Sequence, residues 1–319
     1  MPAADERLFR VVKRYYVLHE NQDAIAHAEN ISKSTISRLL KKAEQMGYVR
    51  HVVNVPLSAC DELERGLSDA FPLRFVRVLP SNGDGEDSDP RLALFDVTLA
   101  AGQYLNQSIR PHEVIGVTWG RTLKAFADNL PECASRVDDV RVIQLNGSIS
   151  RRVTPTYGDM IVRRIADNYD GECYSIPAPS FADTPELRDA MMRDSTIAAL
   201  FSLVNRCSTV LFSVGCLDED SVILQAGYLS AAQYGQLRRV GFCADICSRY
   251  IKADGSHEDD ELYNRVIGIS LERIREVPCS ICMVAEPAKA AATLAALRGG
   301  YLTHLFIDEV TARRVLELA

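Results

Sequence analysis

The sequence predicts an α/β protein in two parts, a small helix-turn-helix unit of winged-helix-like form over residues 1–56 and a larger parallel-sheet unit over 57–319. Three observations carry that reading. Apolar residues recur at helical spacing through the first 46 positions, with turn signals between the helical stretches. Further on, short apolar runs alternate with helical stretches, the pattern of a parallel sheet covered by helices on both faces. Charge divides at the same place: residues 1–56 hold nine lysines and arginines against six acids, and the remainder holds 27 against 37.

In the first part, Leu8, Val11, Val12, Tyr15 and Leu18 define a helix from about Asp5 to His19. A short helix, Gln22 to Glu29, contributes Ile25 and Ala28, and Asn30-Ile31-Ser32 turns the chain. Ser32 is placed to cap a third helix, Lys33 to about Met46, which ends at Gly47. Val49–Val55 reads as a wing-like strand and Pro56 closes the unit. A helix from Ser58 to Ala70 follows, with Leu63 and Leu67 inward.

The strand candidates of the larger part are Leu73–Leu79, Val114–Val117, Val140–Leu145, Thr209–Val214, Cys279–Val284 and Leu305–Ile307. Helices are expected at Leu92–Asn106, Arg121–Asn129, Asp159–Asp167 and Ala288–Leu297, and Ser81–Pro90 reads as an exposed loop. No apolar run reaches the roughly 20 residues of a membrane span. Met1 to Arg10 lacks the apolar stretch of a secretory signal, so a cytoplasmic location with reduced cysteines is expected. The nine cysteines mostly sit in apolar contexts. Cys279 and Cys282 form a CxxC that Cys243 and Cys247 would have to complete for zinc; on a strand that spacing sends the two thiols to opposite faces. No cofactor is expected.

Two segments carry chemistry. On the third helix, Lys33, Ser34, Ser37, Arg38 and Lys41 share an arc of roughly 140° opposite Ile36, Leu39, Leu40 and Ala43. Hydroxyls and cations so placed suit a major groove, serine and arginine reading base edges and lysine meeting phosphates. The plain alternative is a solvated basic face; residues 30–50, with five cations and one acid, favour double-stranded DNA. One such head makes few phosphate contacts, so an oligomer is expected.

The second segment is Ile115-Gly116-Val117-Thr118-Trp119-Gly120-Arg121-Thr122-Leu123, a strand, a glycine-punctuated turn and a helix start. Backbone amides and the positive helix end there suit a phosphate, with Thr118 and Thr122 as hydroxyl donors. In open α/β sheets ligands sit at the carboxyl ends of strands, where this turn falls. Such turns are also often purely structural, and Trp119 alone can serve as a wedge into the core.

The phrase IGVTWGRTL resembles the GxxWGxTL signature of the SorC family of sugar-responsive bacterial regulators. So do Val142–Gly147, Ser175–Pro179, Ala244-Asp245-Ile246-Cys247, Arg265–Leu271, Leu297–Gly300 and Asp308–Ala312, in family order. The resemblance implies a Rossmann-like effector domain related in fold to sugar-phosphate isomerases and deaminases, sensing without turnover, in a homotetramer or dimer. It implies that Thr118–Thr122 and Asn146-Gly147-Ser148 hold the phosphate of a small phosphorylated sugar or polyol, and that Asp245 and Lys289 meet its hydroxyls or carbonyl. The chain departs from the family pattern at Ala244, Ser248 and Glu286, commonly glycine, and at Lys252, often aspartate; Glu286 lies near enough to Lys289 to neutralise it.

The expected function is thus a regulator of a carbohydrate catabolic operon. The alternative is a sugar-phosphate isomerase or deaminase with Asp245 as base and Lys289 as electrophile. None of the six histidines falls in these motifs, which counts against the enzyme. Without the family pattern Lys289 reads as a surface lysine, and Arg151 and Arg152 as surface charges.

Overall fold

The computed structural model describes residues 3–49, 60–81, 89–149, 156–219 and 221–319. The chain divides into two compact units, Met1–Pro56 and Leu57–Ala319.

In the smaller unit, the helix Ala3–Val12 runs into a wide π-helical turn, Lys13–Val17, in which the Leu18 N–H donates to the Lys13 carbonyl five residues back (3.0 Å). The wider turn rotates the end of the helix. Leu18, expected on the buried stripe, is therefore 63% exposed, while Tyr15 packs on the core as expected and Tyr16 takes Leu18's place beside it. The helix Gln22–Glu29 is capped by Asn21, whose side-chain oxygen accepts from the Ala24 N–H at 2.9 Å. It buries Ile25; Ala28 is exposed, and Ala26 packs in its stead. Ser32 caps the third helix, Lys33–Gln45, by accepting from the Thr35 N–H at 3.2 Å. That helix stops where Gly47 takes φ +74°, letting Tyr48 and Gly47 donate back to the Ala43 and Glu44 carbonyls. Val11, Ile25, Ile36 and Leu40 form the unit's small core. The wing-like strand expected over Val49–Val55 falls almost wholly outside the described residues.

The larger unit contains ten described strands: β1 (Phe75–Leu79), β2 (Val114–Val117), β3 (Arg141–Gln144), β4 (Glu172–Tyr174), β5 (Thr209–Phe212), β6 (Gly215–Cys216), β7 (Phe242–Ile246), β8 (Arg249–Lys252), β9 (Cys279–Val284) and β10 (His304–Asp308). Seven make one wholly parallel sheet in the order β1-β10-β9-β5-β2-β3-β4. The others, β6-β7-β8, form a small antiparallel sheet. Alternate residues of the large sheet enter two cores. Val78, Ile143, Leu145, Val210 and Leu305 go to one side, and Leu79, Ile115, Val142, Leu211 and Phe306 to the other. Cys279 and Cys282 obey the same alternation, Cys282 joining the first core and Cys279 packing on the second. Among the described residues no group of three or more His, Cys, Asp or Glu is arranged to hold a metal.

The helix Asp61–Ala70 packs on β1 and on the last helix, Glu309–Leu318, so it belongs to the larger unit; residues 58–59 of its expected start lie outside the described residues. The helix Pro90–Ser108 covers the second core, as does Arg121–Asn129. Among the described residues no helix is long and apolar enough to cross a membrane.

Strand order locates the site. From β2 the chain steps to β3 and β4, then returns to the opposite side of β2 as β5 and continues outward to β9 and β10. Crossovers on the two sides of β2 thus leave in opposite directions, and a crevice opens at the carboxyl ends of β2 and β5. Close packing beneath it requires Gly116: a Cβ there would overlap the Leu145 side chain and lie 2.9 Å from the Cys207 Sγ. Gly116→Ala is expected to destabilise the larger unit by about 1–3 kcal/mol, read from denaturant midpoints; an unchanged midpoint would show that the sheet can shift to admit the methyl.

Candidate ligand-binding site

The crevice is a cavity of about 230 Å³, below the roughly 300–1,000 Å³ typical of pockets for drug-sized molecules and suited to a small metabolite. One wall is the turn after β2. Gly120 takes φ +128°, a conformation that favours glycine, and opens the helix Arg121–Asn129 with no side chain capping it. The first-turn amides of Arg121, Thr122 and Leu123 have no partner within the helix, and the helix dipole adds partial positive charge. Thr118 and Thr122 are buried along this wall and Arg121 is exposed, without an ion pair among the described residues. The Thr118 amide is not available, since it donates to the Leu211 carbonyl at 3.2 Å.

The facing wall follows β5. Ser213, Gly215 and Cys216 line it, and Asp245 enters from β7, paired in register with Gly215. At the β7–β8 turn Cys247 and Ser248 both have positive φ (+52° and +70°), as a two-residue hairpin of this hand requires. The Ser248 hydroxyl accepts from the Asn146 Nδ2 at 3.0 Å. Asn146 is 1% exposed and its Oδ1 has no partner among the described residues, and the same is true of the buried Ser213 Oγ. Two unsatisfied buried oxygens in one cavity wall are costly unless something enters to bond them.

Asp245 is a half-buried acid in the cavity wall. Loss of solvent raises its pKa from 3.8 to about 6, against the stabilising pull of the Ser248 N–H and the Lys289 charge. Lys289 follows β9 in a short 3-10 turn, Pro287–Lys289, and its Nζ lies 3.0 Å from the Glu286 Oε1. Cys216, Cys247 and Cys282 all have thiol pKa values raised by burial, so none is a thiolate nucleophile. Behind the site, the guanidinium of Arg249, 2% exposed, donates to the carbonyls of Ile269, Tyr263 and Gly268 and stacks 4.1 Å from the Tyr263 ring centroid. This clamp holds the segment that bridges Asn146, since Gly268 pairs with Asn146 and the Gly147 amide donates to Ile267.

Of the expected ligand contacts, Thr118, Trp119, Gly120, Arg121, Thr122, Asn146, Asp245 and Lys289 converge on the cavity. Gly116, Gly147 and Ser148 do not line it. Gly116 lies within β2. The Gly147 carbonyl accepts from Trp119 Nε1 (2.9 Å) and Ser180 Oγ, and Ser148 donates from its amide to Ala178 and from its hydroxyl to Gln144. These three build the wall rather than face the space. Arg151 and Arg152 lie outside the described residues. Sequence reasoning missed Ser213, Asp218, Ser221 and Cys216; the end of the apolar run Thr209–Val214 is the signal that marks Ser213.

On the third helix of the smaller unit, Lys33, Ser34, Ser37, Arg38 and Lys41 are all exposed, opposite buried Ile36, Leu40 and Ala43. Lys33 pairs with Asp23 (2.9 Å), Ser34 meets the Ser32 hydroxyl (2.9 Å) and Arg38 reaches Thr35 (3.5 Å). Ser37 and Lys41 make no such contact among the described residues.

A parallel sheet with a small polar cavity at the point where its strand order reverses defines an α/β ligand-binding domain. Residues 55–317 match the Sugar-bind family model, described as "Putative sugar-binding domain", and the chain belongs to this family, that of the SorC/DeoR-type sugar-binding transcriptional regulators. It is 28% identical over 302 residues to the deoxyribonucleoside regulator of Bacillus subtilis (strain 168), covering 95% of this chain and 94% of that one. It is 26% identical over 319 residues to the erythritol catabolism regulatory protein EryD of Brucella abortus (strain 2308), covering 99% and 98%. The full-length sorbitol operon regulator SorC from Klebsiella pneumoniae shares the fold, with a TM-score of 0.73, 24% identity and 97% of each chain covered. These relatives are transcriptional regulators and not enzymes, so the isomerase or deaminase alternative is set aside.

Asp245 gives a pH-dependent prediction. A folded-state pKa raised from 3.8 to about 6 means that the ionised native state carries a penalty, present above pH 6 and lost as pH falls toward 4. Asp245→Asn is expected to stabilise the free protein by up to about 2–3 kcal/mol at pH 7.5, the gain shrinking as the pH is lowered through that window. Melting curves of both proteins from pH 4.5 to 7.5 check this; a constant difference would mean that Asp245 titrates normally.

Proposed function

We propose that this transcriptional regulator controls a carbohydrate catabolic operon, and that a phosphorylated sugar or polyol bound in the cavity sets its affinity for operator DNA. The supporting observation is the convergence of an uncapped helix start and Arg121, on one side, with the unpaired oxygens of Asn146 and Ser213 and the Asp245 carboxylate, on the other. The phosphate sits against the amides of Arg121, Thr122 and Leu123, with the Thr118 and Thr122 hydroxyls. Asn146, Asp245 and Lys289 take the sugar oxygens, and Gly116, Gly147 and Ser148 support these walls. The carbohydrate assignment draws on the names of the Bacillus and Brucella relatives.

Residues 1–56 are the helix-turn-helix DNA-binding domain, winged-helix-like, and 57–319 the Rossmann-like effector and oligomerisation domain. Lys33, Ser34, Ser37, Arg38 and Lys41 are the DNA-facing residues, and the Lys33–Asp23 pair opens when phosphate takes the ammonium. The working assembly is a cytoplasmic homotetramer or dimer, since two heads on one oligomer multiply a weak single contact.

Linkage requires that effector and operator alter each other's affinity by the same factor. Anisotropy titrations of operator DNA, with and without a panel of four- to six-carbon sugar and polyol phosphates, are expected to show a shift of about five- to 150-fold for the true effector. No shift across the panel defeats the proposal. In the same assay Arg38→Ala is expected to cost about 1–3 kcal/mol of operator discrimination and to leave effector binding, followed by melting temperature, unchanged.

A further inference from the structure

We propose that Gly215 seats the Asp245 carboxylate, and that the seated carboxylate makes the cavity select a sugar or polyol with a hydroxyl at that point over the analogue lacking it. The inference rests on the proposed function and deepens it, by naming a positioning residue and the ligand feature it selects. Gly215 and Asp245 stand directly opposite each other in the antiparallel pair β6–β7, so their side-chain positions share one face. Both residues line the cavity. A Cβ at position 215 would overlap Asp245 Oδ1 and lie 2.8 Å from its Cγ. The carboxylate thus lies across the Gly215 Cα, in space that any side chain would take. Backbone conformation does not call for the glycine, because Gly215 has no positive φ. The contact with Asp245 does.

The seat holds an acceptor with capacity to spare. The Ser248 N–H bonds the carboxylate and the Lys289 charge favours its ionised form. With a pKa of about 6 it is ionised at neutral pH, where it accepts hydrogen bonds and cannot donate them. Two more oxygens of cavity-lining residues have no partner among the described residues: Ser213 Oγ, and Asn146 Oδ1, whose amide nitrogen is used on Ser248. Asn146 Oδ1 is also an acceptor only. Whatever completes these bonds must bring hydrogen, and in a sugar or polyol that group is a hydroxyl. A deoxy position brings none and leaves the carboxylate away from water without a donor, the case in which a missing hydroxyl is rejected most strongly. Displacing the carboxylate from its seat removes the same contact from the protein side.

The test titrates ligands calorimetrically into the full chain at pH 7.5. The parent ligand is whichever of erythritol 4-phosphate, ribose 5-phosphate and glucose 6-phosphate binds tightest, and it is compared with its series of single-deoxy analogues. The proteins are wild type, Gly215→Ala, Asp245→Ala and the double variant, with melting curves checking that each folds. In the wild type, loss of one particular hydroxyl is expected to weaken binding by at least about tenfold. Asp245→Ala is expected to erase that preference, which assigns the hydroxyl to the carboxylate. Gly215→Ala is expected to weaken the parent more than the deoxy analogue, so that the ratio between them falls toward one. Added to Asp245→Ala, where no carboxylate is left to displace, it is expected to cost nothing further. If a parent binds but no single hydroxyl matters, if Gly215→Ala weakens parent and analogue alike, or if its cost persists beside Asp245→Ala, this inference alone is overturned. Should Gly215→Ala and the double variant both fail to fold, the methyl is meeting the frame and not Asp245, and the seat is refuted. If no parent binds the wild type, the proposed function fails and takes the inference with it.

Discussion

The site depends on one topological constraint. Parallel strands are joined by crossovers, and the crossovers on either side of β2 run in opposite directions. Among the described residues a gap is left at the carboxyl ends of β2 and β5. Much of the polar lining comes from elements that end there. The helix after β2 begins there uncapped. The turn after β5 supplies Ser213 and Gly215, and the loop after β9 supplies Glu286 and Lys289. The hydrophobic alternation that fills both faces of the sheet makes this placement rigid, because a one-residue slip of any strand would turn its core residues outward.

Against that rigid base the cavity holds groups that work against stability. Asp245 is ionised at a position that lifts its pKa to about 6, and two buried oxygens have no hydrogen-bond partner among the described residues. Cys247 and Ser248 occupy left-handed backbone that glycine would adopt without strain. Arg249 compensates from behind, its guanidinium tying three carbonyls of the 263–269 segment to the β7–β8 hairpin. The arrangement is what a binding site requires: a firm frame around groups whose bonding is completed from outside.

Legibility of the fold in the sequence divides along physical lines. β2, β3, β5, β9 and β10 are inner parallel strands buried along nearly their whole length, so each is written around a short apolar run, and the edge strand β1 keeps its run apart from the half-buried Arg77. β4 has three residues, none of them buried, and β6 has two, too short to carry a period. β7 and β8 interrupt their apolar pattern with Asp245, Arg249 and Lys252 for reasons that only the cavity and the clamp explain. Within the site, Thr118–Thr122 was legible because strand, glycine and helix start are adjacent in sequence. For Ser213 the end of an apolar run was the only local mark, because its place opposite that turn arises from β5 returning beside β2. Leu18 was misplaced because helical spacing assumes 3.6 residues per turn and the π-helical turn at Lys13–Val17 does not keep it.

Trp119 is the chain's single tryptophan, and it lies on the cavity wall with its indole N–H on the Gly147 carbonyl and its ring 6.3 Å from that of Tyr228. Its ring packs against the apolar clusters of both the large sheet and the small antiparallel sheet. Indole fluorescence from this protein therefore has one origin, at the seam between the two sheets and beside whatever the cavity holds. The molecule carries its own optical probe of occupancy, without a dye and without an engineered label.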